Sequence, residues 1–106
     1  MHIDLVIITD EKLNIKTNNL NYQIFDSSHY LVDDYTLNTG ITFDYLITSS
    51  LDALKHIDLL KDEDYIICNY FFQTSKEHIF FIGKENKSTK SIQEQLDTVI
   101  DFFNNN

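Results

Sequence analysis

The stretch IDLVIIT (residues 3–9) is the part of the sequence that decides the fold class. Its four consecutive aliphatic residues, at positions 5–8, do not alternate with polar ones. A strand with this pattern is buried on both faces of its sheet, which requires layers above and below and is typical of α/β proteins. We therefore predict a buried strand over residues 3–9 in a layered α/β fold.

The remaining strands are predicted from short apolar or β-branched runs between turn residues. They cover residues 22–25, 43–48, 65–72 and 78–82, with one or two edge strands over residues 29–37 around Asp33 and Asp34. Asn38-Thr39-Gly40 supplies turn chemistry. The polar segment 10–21 contains Leu13, Ile15 and Leu20, and either a short helix or an irregular connection fits it.

Two helices are predicted. Ser49 and Ser50 are good N-cap residues, and the apolar residues that follow them, Leu51, Leu54 and Ile57, indicate a short middle helix. Ser91 and Glu94 have the spacing of a capping box, and apolar residues at helical spacing follow, namely Ile92, Leu96, Val99, Ile100 and Phe103. We expect one α/β domain over residues 1–103, with a small mixed sheet, the short middle helix and this amphipathic C-terminal helix, and residues 104–106 as a frayed tail.

Composition excludes several functions. The 106 residues include 17 acidic residues and 8 lysines with no arginine, and the formal net charge is −9. Proteins that read nucleic-acid grooves need clustered cations, usually with Arg, so we expect no nucleic-acid partner. One cysteine, Cys68, excludes a disulfide scaffold and a Cys-rich zinc site, and its place in a predicted buried strand indicates an inert thiol. No run is apolar and long enough for a membrane span, no export signal is present, and we expect a cytoplasmic location.

Charged clusters give weaker indications. The four histidines, His2, His29, His56 and His78, are scattered without the i, i+4 spacing of a metal-binding helix, and we expect no metal site. Lys84, Lys87 and Lys90 precede the N-terminus of the last predicted helix, where an anion would meet free N–H groups. A solvated loop is the alternative interpretation of these lysines.

Three pairs of phenylalanines indicate a partner. In Phe71-Phe72, Phe80-Phe81 and Phe102-Phe103, neighbouring rings cannot both face one buried surface. A chain of this length cannot bury all of them in its own core, so we expect some to contact a partner. A second copy of the chain is the simplest such partner.

The C-terminal half contains Gln73-Thr74-Ser75, then Ile79-Phe80-Phe81-Ile82-Gly83, then the predicted closing helix. Over residues 43–103 this order resembles the C-terminal part of thioredoxin-reductase-like flavoprotein disulfide oxidoreductases. The resemblance implies a Rossmann-like fragment, a relation to FAD/NAD(P)-binding domains, and cofactor contacts at Gly83, Lys84 and Gln95.

The sequence departs from that family at the residues that carry its chemistry. The family's Gly-Asp is Gly83-Lys84 here, and the glycine-rich phosphate loops, the Cys-x-x-Cys pair and any arginine are absent. We therefore expect no flavin–disulfide chemistry and no cofactor, with FAD as the ligand if the resemblance extends to binding.

Three hypotheses follow. The first is a non-catalytic acidic protein, related to that C-terminal region, that acts through protein contacts as a homodimer. The second is an acidic inhibitor that mimics nucleic acid and binds a basic protein, since residues 1–53 carry −6 and residues 54–106 carry −3. The third is a residual FAD- or NAD(P)-binding domain of an oxidoreductase, with a pocket near Thr9, residues 48–50 and Gly83-Lys84.

Overall fold

The strand β1 (His2–Ile8) lies between two parallel neighbours, β2 (Tyr22–Phe25) and β5 (Thr42–Thr48). The computed structural model describes residues 1–17 and 20–105, so Asn18, Asn19 and Asn106 lie outside the described residues. Residues 5–8 are completely buried. The burial of this strand on both faces, predicted from its sequence, is confirmed.

The far edge of β5 is shared by two strands. The first residue of β5 pairs antiparallel with β4 (Thr36–Leu37), and its last three residues pair parallel with β8 (Ile79–Phe81). β4 also pairs antiparallel with β3 (Leu31–Asp33), which confirms the predicted edge strands around Asp33 and Asp34. The result is a six-stranded mixed sheet, and β6 (Lys61–Asp62) with β7 (Tyr65–Ile66) forms a separate antiparallel pair.

Each face of the sheet carries its own apolar cluster. Val6 and Ile8 of β1 belong to the first cluster, together with Leu31, Leu37, Leu46, Ala53, Leu54, Ile57, Ile66 and Phe81. Leu5 and Ile7 belong to the second, together with Ile47, Phe72, Phe80, Ile82, Leu96, Val99 and Ile100. The second cluster is extended by Leu13, Ile15 and Leu20 from the connection between β1 and β2. The described part of that connection contains no helix, so of the two predicted alternatives it is the irregular connection that forms.

The C-terminal helix α1 (Ile92–Asn104) begins where the sequence predicts. The Glu94 N–H donates to the Ser91 hydroxyl at 3.2 Å, and the Ser91 N–H donates to the Glu94 carboxylate at 3.2 Å. This reciprocal pair confirms the capping box. The helix continues to Asn104, and the N–H of Asn105 still donates to the Asp101 carbonyl at 3.0 Å.

The middle helix is shorter than predicted. It is a single 3₁₀ turn, Asp52–Leu54, preceded by Leu51 without a side-chain cap, so the N-cap role predicted for Ser49 and Ser50 is wrong. The Ser49 hydroxyl instead lies 2.7 Å from the Thr9 hydroxyl at the end of β1. Tertiary contact between two strand ends thus replaces a local cap.

The predicted strand over residues 65–72 is also wrong beyond Ile66. The chain leaves the extended conformation and turns at residues 69–73, so Cys68 is half-buried outside any strand. The turn leaves Phe71 partly exposed at the surface and places Phe72 in the second cluster.

The phenylalanine pairs divide between the two faces. Phe80 and Phe81 are both fully buried, one in each cluster, because each face of the sheet is covered. The neighbouring rings of this pair thus face two different buried surfaces. This is compatible with the prediction that the chain cannot bury all six paired rings, because rings of the other two pairs remain accessible. Of the six paired rings, Phe71 is exposed, and Phe102 and Phe103 are half-buried.

Replacing Glu94 by Gln tests the capping box. The Ser91 backbone N–H and hydroxyl hold the pKa of the Glu94 carboxyl below its ordinary value of 4.5. A lowered carboxyl pKa contributes stability above pH 4.5 that is lost as the pH falls through the folded-state pKa. Because Gln also completes a capping box, we expect Glu94→Gln to retain stability at neutral pH and to lose less on acidification.

The measurement is urea unfolding followed by circular dichroism at neutral and acid pH. As the control, Ser91→Ala should lower stability by about 1 kcal/mol already at neutral pH. An acid-induced loss in Glu94→Gln as large as in the wild type would contradict this account of the cap.

Candidate functional site

The carboxyl ends of β1 and β5 meet at one edge of the sheet, where the sequence predicts a ligand pocket. The hydroxyls of Thr9 and Ser49, which follow the two strands, lie 2.7 Å apart. The Thr48 hydroxyl donates to the Ile8 carbonyl at 2.9 Å and accepts the Ser50 N–H at 2.9 Å. These side chains therefore fasten the two strand ends together.

A hollow of about 340 Å³ opens beside them, here called the carboxyl-edge hollow. Four carboxylates, three serine hydroxyls and one leucine line it: Asp10, Glu11, Asp52, Glu85, Ser27, Ser49, Ser50 and Leu51. The Ser27 N–H donates to the Asp10 carboxylate at 3.0 Å, and the Ser27 hydroxyl also donates to it. Such a wall attracts cations and repels phosphate groups.

The family resemblance implies cofactor contacts at three residues, and two of them, Gly83 and Gln95, are hydrogen-bonded to each other. The Gln95 amide oxygen accepts the Gly83 N–H at 2.9 Å and the Asn86 side-chain NH₂ at 2.7 Å. Its nitrogen donates to the carbonyls of Lys90 at 3.0 Å and Gly83 at 3.3 Å. Buried Gln95 therefore ties the loop before α1 to the helix, whereas Lys84, the third residue, is exposed.

The lysines considered for an anion site face different partners. The Lys87 ammonium lies 2.8 Å from the Asp62 carboxylate, and this contact raises the pKa of Lys87. The Lys90 ammonium lies 5.6 Å from the centre of the Tyr70 ring. These contacts direct Lys87 and Lys90 away from a shared anion.

Five aromatic side chains, which the sequence analysis did not group, form what we call the aromatic surface: Tyr35, Tyr45, Tyr70, Phe71 and Phe102. Ring centres lie 5.4 Å apart between Tyr70 and Phe71, and 5.0 Å apart between Phe71 and Phe102. Tyr45 continues the row through Phe103, whose ring lies 5.0 Å from Tyr45 and 5.9 Å from Phe102.

Two hollows flank Phe102 on this surface. The larger, of about 550 Å³, is lined by Tyr35, Tyr45 and Phe102 together with Asp44, Gln73, Glu77 and His78. The smaller, of about 390 Å³, is lined by Phe71, Phe102, Asp101 and Asn105. The aromatic surface therefore combines protruding rings with adjacent concave space.

A tight turn presents Phe71 to solvent. The Asn69 side-chain oxygen accepts the N–H groups of Phe71 at 2.9 Å and Gln73 at 3.0 Å, and its nitrogen donates to the Gln73 side chain at 2.7 Å. Phe72 adopts a φ of +64°, which is uncommon for a bulky residue. Such strain, of order 1–3 kcal/mol, persists where the surrounding structure enforces it and is concentrated at functional sites.

A further group, here called the His–Asp cluster, lies at the amino ends of β1 and β5. One ligand-type atom from each of His2, Asp4 and Asp44 lies within 4.8 Å of the others. Spacing along the chain did not predict this group, because the parallel register of the strands pairs His2 with Thr42, 40 residues away. The one local signal is the matching i, i+2 pattern, with Asp4 two residues after His2 and Asp44 two residues after Thr42.

Cys68 is half-buried, and its thiol lies 3.9 Å from the Phe81 carbonyl. Burial raises the pKa of this thiol to about 11. A thiol held in its neutral form is a weak nucleophile, so the structure offers no support for a catalytic role of Cys68.

Comparison with known proteins adds no identification. No protein-family model matches the chain, and no match was found among curated proteins or among solved structures. The resemblance to thioredoxin-reductase-like flavoproteins therefore stays a prediction. Within residues 1–17 and 20–105, no helix has both the length and the apolar character needed to cross a bilayer.

The raised pKa of Cys68 predicts slow alkylation. At about pH 8, a thiol with a pKa of about 11 has roughly 100-fold less thiolate than one with the ordinary pKa of 9.0. The thiolate of the high-pKa thiol is about tenfold more nucleophilic, which leaves a net difference in rate of about tenfold. We expect iodoacetamide to react with the native protein at least about tenfold more slowly than with the protein unfolded in guanidinium chloride. A Cys68→Ser, Thr39→Cys variant, with its thiol on an exposed turn, is the control and should react at similar rates in both states. Equal rates for native and unfolded Cys68 would contradict the assignment.

Proposed function

We propose that this chain is a non-catalytic interaction protein that associates with a second copy of itself through the aromatic surface. The observation that carries the proposal is the exposure of aromatic rings on a strained, hydrogen-bonded turn, with Tyr70 75 % and Phe71 38 % exposed. Aromatic side chains bring a large apolar area to an interface and are enriched among its energetically dominant residues.

The shape of the aromatic surface supports a second copy as the partner. Phe71 and Tyr70 protrude from the turn, and the two hollows beside Phe102 lie on the same surface. A two-fold symmetric interface uses one patch twice, so the patch must contain both the protruding and the concave part. The Tyr70 and Phe71 rings of one copy would then insert into the hollows beside Phe102 of the other copy.

Charge opposes this pairing at low salt. Asp44 and Glu77 line the larger hollow, Asp101 lines the smaller one, and the formal net charge of each copy is −9. Raising NaCl from about 0.1 M to about 1 M shortens the Debye length from about 10 Å to about 3 Å and screens this repulsion. Self-association through the aromatic surface therefore strengthens with salt.

The carboxyl-edge hollow favours a second candidate function, the binding of a basic protein. Its four carboxylates, from Asp10, Glu11, Asp52 and Glu85, give one region of the surface a concentrated negative charge. A basic segment would be attracted there over long range, as in an inhibitor that imitates nucleic-acid phosphates. Such binding weakens with salt, and the sign of the salt effect separates the two candidates.

Kinship with the C-terminal part of thioredoxin-reductase-like flavoproteins remains part of the proposal and rests on residues 73–75 and 79–83. We propose a cytosolic location because the single cysteine is a half-buried free thiol. FAD or NAD(P) binding at the carboxyl edge has less support, because the carboxylates there oppose a pyrophosphate.

Replacing Phe71 by Ser tests the proposed interface. We expect at least about fivefold weaker self-association, because truncating an energetically dominant interface residue costs more than about 1 kcal/mol. Sedimentation over a concentration series at low and high salt measures the change, and circular dichroism verifies the fold of each variant.

Val32→Ser is the matched control, since Val32 is 50 % exposed on β3 and lies outside the aromatic surface. It should leave self-association unchanged. A wild-type protein that stays monomeric at high concentration and high salt overturns the proposal, as does an equal loss in both variants.

A thermal-shift measurement with FAD, NADH, NADPH and ATP tests the cofactor alternative. A ligand at 100 times its Kd adds about 2.7 kcal/mol of stability, which is readily detected. Because carboxylates line the hollow, we expect no stabilisation by these four compounds. Clear stabilisation by FAD, together with a flavin absorption spectrum in the purified protein, would refute this expectation.

A further inference from the structure

We propose that His2, Asp4 and Asp44 form a binding site for a divalent transition-metal ion of the Zn²⁺ type. This inference does not rest on the proposed self-association, although Asp44 also lines the larger hollow of the aromatic surface. It starts from the observation that the imidazole and the two carboxylates each place one potential ligand atom within 4.8 Å of the other two. Among the residues that the structure describes, no other group of three His, Cys, Asp or Glu side chains meets this distance.

The distances suit a shared ion. The ring nitrogen Nε2 of His2 lies 3.0 Å from Oδ1 of Asp44. Ligand atoms about 2.0–2.2 Å from a tetrahedral zinc lie roughly 3.4 Å from one another. An ion inserted between His2 and Asp44 therefore requires only a small outward movement. Because both side chains are about half exposed, with 50 % and 56 % of their surface accessible, they are free to make it.

The strand pairing supports the arrangement. Within the parallel register of β1 and β5, Asp4 and Asp44 occupy the level between the Ile3–Phe43 and Leu5–Tyr45 pairs. The donor groups thus come from two levels that lie two residues apart on two neighbouring strands and share one face of the sheet. Sites built on strands hold their ligands more rigidly than sites on loops.

A neighbouring hydroxyl orients the imidazole. Nδ1 of His2 lies 2.7 Å from the hydroxyl oxygen of Thr42, which is not one of the three ligand residues. When Nδ1 carries the proton and donates to this oxygen, the lone pair of Nε2 faces the carboxylates. Metal-binding histidines commonly have their second nitrogen held by such an outer hydrogen bond.

The charges also favour a cation. The carboxylates of Asp4 and Asp44 converge on one imidazole, and two like charges at this separation are relieved by a positive ion between them. The Asn21 N–H, 3.4 Å from the Asp4 carboxylate, contributes one long hydrogen bond to Asp4. Two carboxylates and a neutral imidazole carry a charge of about −2, so a divalent ion would leave the site close to neutral.

The donor set indicates which ions bind. One imidazole with two carboxylates is typical of first-row transition metals, whereas Mg²⁺ prefers an all-oxygen shell and retains its waters. Three protein ligands leave at least one coordination position open to water, as in zinc sites that are not purely structural. Zn²⁺ and Co²⁺ are therefore the appropriate probes, and Mg²⁺ is the appropriate competitor.

The test is isothermal titration of the untagged protein with ZnCl₂, together with the visible spectrum of its Co²⁺ complex. We expect one ion per chain, a Co²⁺ absorption band of tetrahedral or five-coordinate type, and no displacement by millimolar Mg²⁺. Asp4→Asn and Asp44→Asn should each weaken Zn²⁺ binding at least tenfold, because each replaces a charged ligand by a neutral amide of the same shape. Thermal unfolding verifies that the variants are folded.

The control is Asp26→Asn. Asp26 also pairs with a histidine, His29, at 3.3 Å, but these two residues belong to no group of three within the described residues. This variant should leave Zn²⁺ affinity unchanged within about twofold. Chelation by His2 and the α-amino group of Met1 would be insensitive to Asp4→Asn and Asp44→Asn. That insensitivity, an equal loss in Asp26→Asn, or absence of Zn²⁺ binding by the wild type would each overturn the proposal.

Discussion

The structure depends on the burial of β1 from both sides. Its four consecutive aliphatic residues are inaccessible to water and are distributed between two clusters, so neither face of the sheet can remain uncovered. Fully burying side chains of this kind contributes roughly 1.5–3 kcal/mol each, relative to leaving them exposed. One layer is provided by α1 and the connection after β1. The other is provided by the 3₁₀ turn, Ile57 and β7, which pack against apolar side chains of the sheet, including those of its edge strands.

The parallel pairing of β1 with β5 distributes polar residues between the two ends of the strands. At the carboxyl ends, hydroxyl groups join the strands, and carboxylates line the hollow beside them. At the amino ends, the same register assembles His2, Asp4 and Asp44. The aromatic surface has a different origin, since it combines the 69–73 turn with the end of α1. The carboxyl-edge hollow therefore lies apart from the other two candidate sites, which share Asp44.

Sequence patterns predicted the elements whose causes are local. The capping box of Ser91 and Glu94 depends on residues three apart, and the hairpin around Asp33 and Asp34 depends on neighbouring turn residues. The strand predicted over residues 65–72 ends at Ile66, and the chain then turns where the Asn69 side chain accepts the N–H groups of Phe71 and Gln73. Phe80 and Phe81 are both buried because both faces of the sheet are covered, as the uninterrupted aliphatic run of β1 predicts. The local sequence does not record which distant segments cover each face. The side-chain amide of Gln95 accepts two hydrogen bonds and donates two, all with the loop before α1, and these contacts cannot be read from its position in the sequence.

By itself, the sequence determined the layered α/β class, the order of the main strands and the position of the C-terminal helix. These follow from hydrophobic periodicity and capping, which act over a few residues. Only the tertiary structure decided which strands are adjacent, and that adjacency groups His2 with Asp44. It also decided that the 69–73 turn packs against the end of α1, which groups Phe71 with Phe102. The physical reason is that strand register and face-to-face packing join residues 31 to 42 positions apart, whereas periodicity records only which face a residue takes.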